Sequence, residues 1–338
     1  MPRTLITGGT GFLGSHLASS LTRAGHDVRT LDINPPEGAD AGRYDFLQAD
    51  VRDREAVFQA TRGCDVVIDN AALVPVTRAT PAQYEAVNVA GCGNVLDAAE
   101  AVGAYVLHIS SSAIYGIPDR LPVTADTPLA PFEPYGASKA DAERLVGRRR
   151  AAGLTVGSLR PRALLGAGRL GLFEVIFARI QRGRRVPLFG RGDNLLQTCD
   201  VDDFCSAAVA AVERKANAGY NIGAAEFGTV RDDLQALIER AGTGARLQPV
   251  PTWLIRAVLA PLDAVGRSPF NEWHWRAAPA AFYCEIVDAE RDLDWHPRHS
   301  SVDALWNAYE NYLRAADDEG LSVHRRPLEG ALARLLRR

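Results

Sequence analysis

RTLITGGTGFLG, residues 3–14, combines a short apolar strand with a glycine-rich turn, and apolar residues at helical spacing follow it. Glycine allows the turn's backbone angles and lets the main chain approach a pyrophosphate, while the helix N-terminus offers amides and a positive dipole. The order of strand, glycine turn and helix therefore predicts a dinucleotide-binding unit. The residues predicted to contact the dinucleotide here are Gly8, Gly11, Phe12, Leu13 and Gly14.

The next apolar run, residues 28–31, ends at Asp32. A carboxylate at that place can accept hydrogen bonds from both hydroxyls of the adenosine ribose and repels a 2′-phosphate. No arginine follows Asp32 directly. Asp32 therefore predicts NAD rather than NADP, the alternative being an aspartate that only caps a loop or helix.

A tyrosine and a lysine are spaced for catalysis at Tyr135 and Lys139. The chain has only two lysines against 36 arginines, and one of them lies four residues after Tyr135. Residues four apart share one face of a helix, where a cation favours an ionised phenol. An isolated phenol ionises only near pH 10, so this neighbour makes Tyr135 a candidate general acid and base. The alternative is a chance pair on a solvated helix.

Strand and helix signals alternate through the first half of the chain. Further strands are predicted at 46–49, 66–68, 105–110 and 155–160. This alternation predicts an α/β fold with a Rossmann-type, doubly wound parallel sheet. Polar or small residues follow three of these strands, at Asp50-Val51, Asn70-Ala71-Ala72 and Ser110-Ser111-Ser112. Because ligands of such sheets bind at the carboxyl ends of the strands, these segments are candidate site residues.

After about residue 165 the pattern loosens into glycine- and arginine-rich loops, prolines and an aromatic cluster at 273–283. We predict an NAD-binding domain over 1–165, with segments within about 195–223 returning to it. Residues 166–318 are predicted to form mainly a smaller C-terminal substrate-binding lobe. Residues 319–338 form a basic tail, either an amphipathic helix on an anionic surface or an end packed on its own domain or a partner.

Composition narrows the function classes. A net charge of -3 and a pI near 6.2 give no reason to expect nucleic acid. Five cysteines without close-paired spacing indicate reduced thiols in a cytoplasmic protein, and neither a disulfide framework nor a metal site. The first strand begins at residue 3, leaving no room for a signal peptide, and no apolar run reaches the roughly 18 residues of a transmembrane span.

Together these motifs resemble the extended short-chain dehydrogenase/reductases of the NAD-dependent epimerase/dehydratase family. Val87-Asn88-Val89, Ser110 to Gly116 and Leu159-Arg160-Pro161 complete the resemblance, which covers roughly residues 3–312. It implies that Tyr135 is the general acid/base and that Lys139 tunes it and holds the nicotinamide ribose. It also implies a homodimer paired through the helix after Asn88 and the helix bearing Tyr135. The further cofactor-binding positions that it implies are Asp50, Val51, Asn70, Ala71, Ala72, Asn88, Tyr135, Lys139 and Pro161.

The family also uses a Ser or Thr that hydrogen-bonds the reacting oxygen. This hydroxyl lies four residues before the tyrosine of a Tyr-Gly pair, and counting back from Tyr115 gives Ser111. Ser112 is the alternative.

Departures from the family pattern bear on the reaction. Ser112 and Ala113 stand where the dehydratases carry an acidic pair, so dehydration lacks its acid. Ala163 and Leu196 stand where nucleotide-sugar enzymes anchor the diphosphate with an asparagine and an arginine. Arginines of nearby loops could substitute, because guanidinium groups bind phosphates well. These are Arg162, Arg184, Arg185 and Arg191.

Two enzyme interpretations follow. The first is a nucleotide-sugar epimerase that oxidises a ring alcohol and reduces the ketone on its other face. The second is a net dehydrogenase or reductase of a lipophilic alcohol or ketone, resembling the 3β-hydroxysteroid dehydrogenases, which the apolar stretch at 253–260 favours. A third interpretation is a protein that binds NAD only to sense it. The presence of both Tyr135 and Lys139 argues against this interpretation. The candidate substrate-binding residues are Ser112, Arg162, Val186 and Arg191.

Overall fold

The computed structural model describes residues 1–75, 79–168, 171–254, 257 and 279–317. Eleven strands are described in this part of the chain: β1 (Arg3–Thr7), β2 (Asp27–Asp32), β3 (Asp45–Gln48), β4 (Val66–Asp69), β5 (Tyr105–Ile109), β6 (Val156–Pro161), β7 (Ala163–Leu165), β8 (Arg185–Phe189), β9 (Thr198–Asp200), β10 (Gly219–Ile222) and β11 (Arg246–Val250). The α-helices described are α1 (Phe12–Arg23), α2 (Arg54–Thr61), α3 (Pro81–Tyr84), α4 (Gly91–Val102), α5 (Pro134–Ala151), α6 (Gly171–Gln181), α7 (Val201–Glu213), α8 (Val230–Ala241), α9 (Val287–Leu293) and α10 (Ser301–Asp317).

Seven strands form one parallel sheet in the order β10-β6-β5-β4-β1-β2-β3. The predicted strands are present, with ends shifted by one residue at most, and the predicted doubly wound fold is confirmed. Helices α2, α4 and α5 cover one face of this sheet, and their apolar residues pack on Leu5, Val67 and Val106. Helices α1 and α7 pack against each other on the opposite face. Burial on both faces explains why consecutive residues of the central strands, such as Leu5 and Ile6 of β1, are both apolar and buried.

The strand order reverses at β1, which lies between β4 and β2. All neighbours in the sheet are parallel, so the carboxyl ends of the strands meet at one edge. Gly8, Asn70, Ser110 and Pro161 lie at this edge. A reversal of strand order opens a crevice at the carboxyl ends, and this is where ligands of doubly wound sheets bind.

The chain divides into two compact units. The first comprises Met1–Arg162, Val201–Gly223 and Cys284–Pro297, and it contains the seven-stranded sheet. The second comprises the described parts of Ala163–Asp200, Ala224–Tyr283 and Arg298–Arg338. It holds two small sheets, β8 with β11 and β7 with β9. Its apolar core is formed by helices α6, α8 and α10 with strand β8.

Some sequence predictions concern residues outside the described ranges. Trp273, Trp275 and the basic tail at 319–338 lie outside the described residues. All five cysteines are described and buried. Within the described ranges, every helix is too short or too polar to cross a lipid bilayer.

Candidate active site

The glycine turn between β1 and α1 is a tight backbone cradle. Gly8 has a φ of +64°, and a Cβ added there would lie 2.8 Å from Cα of Ala71. A Cβ on Gly14 would lie 2.1 Å from the carbonyl oxygen of Gly8. Phe12 and Leu13 are the first residues of α1, and Gly11 before them offers no side chain to cap the helix. These features fit a bound pyrophosphate.

Asp32 ends β2 beside this turn. Its carboxylate accepts hydrogen bonds from the amide of Thr10 at 3.2 Å and from the amide of Asn34 at 3.1 Å. The two amides fix the carboxylate at the edge of the sheet next to the glycine cradle. This placement fits the ribose-binding role predicted for Asp32, which stays a prediction.

Thr7, which the sequence analysis did not single out, joins the ends of β1 and β4. Its hydroxyl oxygen accepts from the amides of Asn70 and Ala71, both at 3.1 Å. The side-chain amide of Asn70 donates back to the carbonyls of Thr7 and Gly8 at 3.2 and 3.1 Å. Asn70 therefore shapes the glycine turn. The only signal in the sequence was a threonine directly before the glycines.

Asp50 and Val51 follow β3 and differ in their surroundings. Arg52 donates to Asp50 at 2.6 Å, and this contact lowers the pKa of the Asp50 carboxyl. Val51 is buried, and a Cβ on Gly91 would lie 2.8 Å from its methyl group. The side chain of Asn94 donates to the carbonyl of Val51 at 2.9 Å. The segment is thus fixed to α4.

Asn88 connects the segment after Ala72 to α5. It lies in a π-helical turn, Glu85–Ala90, and is buried. Its side chain accepts from the amide of Leu73 at 2.8 Å and donates to the Leu73 carbonyl at 3.1 Å. It also donates to the hydroxyl of Ser138 at 2.9 Å. These bonds indicate that Asn88 positions its neighbours.

Tyr135 and Lys139 lie on the buried face of α5, one turn apart. Glu133 caps this helix by accepting from the amide of Tyr135 at 2.8 Å. The ammonium of Lys139 donates to the carbonyl of Ile109, the last residue of β5, at 2.7 Å. The ring of Tyr135 meets that of Tyr84 edge-on, with centroids 6.1 Å apart. The pair is therefore held by the sheet and does not lie on a solvated helix face.

The serine run follows β5 at the same edge. Ser111 is half-buried and caps a 3₁₀ turn, Ser112–Tyr115, by accepting from the amide of Ala113 at 3.2 Å. The hydroxyl proton of Ser111 remains available for a second acceptor. Ser112 is buried, and Arg162 donates to its hydroxyl at 2.9 Å. Ser111 stays the predicted partner of the reacting oxygen, and Ser112 is held by Arg162.

Charged side chains are buried between α5 and the sheet, which the sequence analysis did not foresee. Glu143 of α5 and Arg160 of β6 form an ion pair at 2.7 Å. Burial acts to raise the pKa of Glu143, but the charges of Arg160 and His108, together with hydrogen bonds from Arg160 and Ser110, lower that pKa to about 2. Arg160 also donates to the hydroxyl of Tyr115 at 2.9 Å, and burial raises the pKa of Tyr115 to about 12.

A second buried pair joins β4 and β5. Asp69 and His108 are register partners, and Nδ1 of His108 lies 2.7 Å from Oδ2 of Asp69. Cys92 places its sulfur 3.8 Å from the same nitrogen. One possible ligand atom from each of these three residues lies within 4.8 Å of the other two, a spacing that a metal site would also have. Because Nδ1 is already engaged with Asp69, we describe the group as a hydrogen-bonded cluster.

The substrate residues predicted in the second unit differ in burial. Val186 of β8 is fully buried in the apolar core, and its contact with substrate stays a prediction. Arg191 is exposed and pairs with Asp193 at 3.0 Å. Arg184 and Arg185 are also exposed. Trp253 is 69% exposed, and only residues 253, 254 and 257 of the apolar stretch are described.

Comparison with known proteins identifies relatives along most of the chain. The sequence pattern of the NAD dependent epimerase/dehydratase family matches residues 4–223. An uncharacterized protein of Sinorhizobium fredii, y4nG, is 36% identical over 98% of this chain and 85% of its own length.

Two further relatives have named reactions. A Stigmatella aurantiaca enzyme, 4-hydroxy-2-methyl-3-oxo-4-farnesyl-3,4-dihydroquinoline-1-oxide ketoreductase, is 32% identical over 75% of this chain and 78% of its own. The UDP-glucose 4-epimerase of Lactobacillus helveticus is 26% identical over 94% of this chain and all of its own. Among solved structures, the UDP-glucose 4-epimerase of Thermotoga maritima with UDP-glucose superposes with a TM-score of 0.77 at 24% identity, covering 94% of this chain and all of that one. This last likeness bears on the fold.

Proposed function

The chain belongs to the NAD-dependent epimerase/dehydratase family, and on that premise we propose that it inverts a secondary alcohol of a nucleotide sugar by oxidising and re-reducing it. The observation that carries the proposal is the buried pair Tyr135 and Lys139 at the carboxyl edge of the sheet. NAD is the cofactor, and when bound it supplies the hydride acceptor and donor.

The chain's own residues divide the remaining work. Tyr135 takes the alcohol proton as the substrate is oxidised and returns it as the ketone is reduced. Lys139, one helical turn from Tyr135 and held by the carbonyl of Ile109, binds the nicotinamide ribose. Ser111 donates its hydroxyl proton to the reacting oxygen and stabilises the charge that develops there.

The glycine turn after β1 lies where the strand order of the sheet reverses, and it accounts for cofactor binding. Gly8 and Gly14 permit the tight turn, because a Cβ at either position would lie 2.8 Å or less from a backbone atom of the protein. Together with Gly11 they let the main chain approach a pyrophosphate. Asp32 favours NAD over NADP, because its carboxylate would repel the 2′-phosphate of NADP.

Dehydration is not proposed, because Ser112 and Ala113 offer no acid beside Ser111. Two UDP-glucose 4-epimerases among the relatives each align with 94% of this chain, and they favour epimerisation. Arg162 is the buried arginine beside the serines, and we propose that it holds Ser112 in place for substrate binding.

A second candidate is net reduction of a lipophilic ketone. The ketoreductase from Stigmatella aurantiaca is 32% identical over 75% of this chain, whereas the Lactobacillus helveticus epimerase is 26% identical over 94% of it. Ala163 and Leu196 cannot supply the usual polar anchors of a diphosphate, and the loop residues Arg184, Arg185 and Arg191 are exposed.

The two candidates predict different cofactor behaviour. We would purify the protein without added cofactor, denature it and identify the released nucleotide by mass. An epimerase regains its hydride in each cycle, so near-stoichiometric NAD with conversion of UDP-glucose to UDP-galactose would support epimerisation. Net reduction would instead be supported by reversible binding of NADH. The protein should then oxidise NADH when it is given the 3-oxo-dihydroquinoline-1-oxide for which the Stigmatella aurantiaca ketoreductase is named.

A further inference from the structure

Tyr84 is a buried tyrosine whose ring meets that of Tyr135. The two ring centroids are 6.1 Å apart and the ring planes cross at 61°, the edge-on arrangement that aromatic pairs prefer. Both side chains are buried. Among the described residues, Tyr84 is the only one whose ring contacts that of Tyr135. The contact joins α3 directly to the proposed general acid and base.

The backbone of Tyr135 is fixed separately from its ring. Glu133 accepts a hydrogen bond from the Tyr135 amide at 2.8 Å, and the hydroxyl of Ser138 donates to the Tyr135 carbonyl at 2.7 Å. Asn88 donates in turn to Ser138 at 2.9 Å. These bonds do not determine the rotation of the phenol ring, because the last side-chain torsion of tyrosine has a broad, two-fold minimum. A neighbouring group must therefore set the plane of the ring.

The side chain of Tyr84 is itself held at both ends. Tyr84 ends the one-turn helix α3, which begins with a reciprocal pair of hydrogen bonds between Thr80 and Gln83. At the far end of the side chain, the hydroxyl of Tyr84 donates to the carbonyl of Val74 at 3.2 Å. The π-helical turn follows directly after Tyr84, and such turns often occur at functional sites. The ring of Tyr84 is thus a fixed support for its neighbour.

Val74 connects this support to the cofactor edge of the sheet. It lies just after β4 and the segment 70–72, which is predicted to contact NAD. Beside it, the amide and carbonyl of Leu73 are both hydrogen-bonded to the side chain of Asn88. The ring of Tyr84 is therefore fixed with respect to the segment predicted to contact the cofactor.

We propose that Tyr84 is a positioning residue, whose ring sets the orientation of the Tyr135 phenol relative to the bound cofactor. This inference rests on the proposed acid/base role of Tyr135. Proton transfer requires the phenol oxygen to lie within hydrogen-bond reach of the reacting alcohol. A displacement of about 1 Å in such a group can cost about 100-fold in rate. Loss of the Tyr84 ring should therefore lower kcat much more than it raises KM.

Two substitutions of Tyr84 separate its ring from its hydroxyl. Tyr84→Leu removes the ring, and we expect kcat to fall about 10- to 100-fold while KM and NAD affinity stay within about twofold of wild type. Tyr84→Phe keeps the ring, so we expect kcat near the wild-type value. Both constants are measured on whichever of the two probe substrates, UDP-glucose or the dihydroquinoline oxide, the wild type converts. An equal loss of kcat in both variants would overturn the role of the ring.

Tyr309→Leu is the matched control. The ring of Tyr309 also meets a neighbouring ring edge-on, that of Phe177, with centroids 5.5 Å apart and planes at 63°, but this pair lies in the apolar core of the second unit. Tyr309→Leu should lower the unfolding temperature and keep wild-type kcat at a temperature where both leucine variants are folded. A matching loss of kcat in Tyr309→Leu would show that Tyr84→Leu acts through destabilisation alone, and this would overturn the inference.

Crystal structures of the NAD-bound variants test the orientation without any substrate. We expect the Tyr135 ring to be rotated or displaced in Tyr84→Leu and to keep its wild-type orientation in Tyr84→Phe. An unmoved Tyr135 ring, or wild-type kcat, in folded and NAD-bound Tyr84→Leu would refute the role of Tyr84 even where Tyr135→Phe abolishes turnover. Full turnover in Tyr135→Phe would instead refute the acid/base role of Tyr135, and the inference with it.

Discussion

At the scale of single residues, Glu143 should make a measurable contribution to acid unfolding. Its pKa is about 2 in the folded protein against an ordinary value of 4.5. Because the folded pKa is the lower one, its stabilisation is complete above pH 4.5 and is lost as the pH falls towards 2. The expected loss is on the order of 3 kcal/mol of unfolding free energy. Chemical denaturation at a series of pH values measures it.

Glu143→Gln should be less stable at neutral pH, because it leaves Arg160 buried without its carboxylate. It should also lack this part of the acid dependence. Glu100→Gln is the control, since Glu100 is 52% exposed in its pair with Arg149. The same acid dependence in Glu143→Gln and wild type would contradict the assignment.

Single residues that carry chemistry were easier to predict from the sequence than the residues that hold them in place. Tyr135 and Lys139 could be predicted because their spacing is local and their chemistry is distinctive. Their surroundings depend on contacts between distant parts of the chain, such as Asn88 with Ser138 or Arg160 with Glu143. A histidine in an apolar strand, His108, was the only signal of the buried pair with Asp69. Such pairings have no fixed spacing from which to predict them.

At the scale of secondary structure, the central strands and the first helix could be predicted because their signals are local. Apolar runs ending in polar residues marked the strands, and the glycines marked the turn after β1. The π-helical turn at Glu85–Ala90 and the small sheets of the second unit were not predicted. β8 and β11 contain residues such as Pro187 and Pro249, which interrupt the usual strand pattern.

Two glycines should respond oppositely to alanine. In Gly14→Ala the new methyl group would lie 2.1 Å from the carbonyl of Gly8, so the turn must move. We expect a loss of about 1–3 kcal/mol in unfolding free energy and weaker NAD binding. Gly147 lies inside α5 with nothing within 4 Å of an added Cβ. Gly147→Ala should stabilise the protein by about 0.5–1 kcal/mol.

Thermal unfolding and NAD titration of both variants check this prediction. NAD affinity should stay at the wild-type value in Gly147→Ala. Wild-type NAD affinity in Gly14→Ala would show that the cradle does not bind the pyrophosphate.

At the scale of the whole molecule, the family resemblance predicts a homodimer paired through the helix after Asn88 and α5. Ala90 is exposed in the segment leading into α4. We expect a dimer mass by sedimentation equilibrium and a shift towards monomer in Ala90→Arg, because a long cation would not fit a helical interface. Gln59→Arg, at an exposed position of α2, is the control. A monomer mass for the wild type would refute the predicted assembly.

The most direct test of the central claim compares two tyrosines that each lose one hydroxyl. We would measure turnover of Tyr135→Phe and Tyr105→Phe on whichever of the two probe substrates the wild type converts, after confirming that both variants bind NAD. Tyr105 is buried at the amino end of β5, and its hydroxyl donates to the carbonyl of Ala216 at 2.9 Å. We expect Tyr135→Phe to lose about 100- to 10,000-fold in kcat and Tyr105→Phe to keep near wild-type kcat. Equal turnover in both variants would contradict the assignment of Tyr135 as the general acid and base.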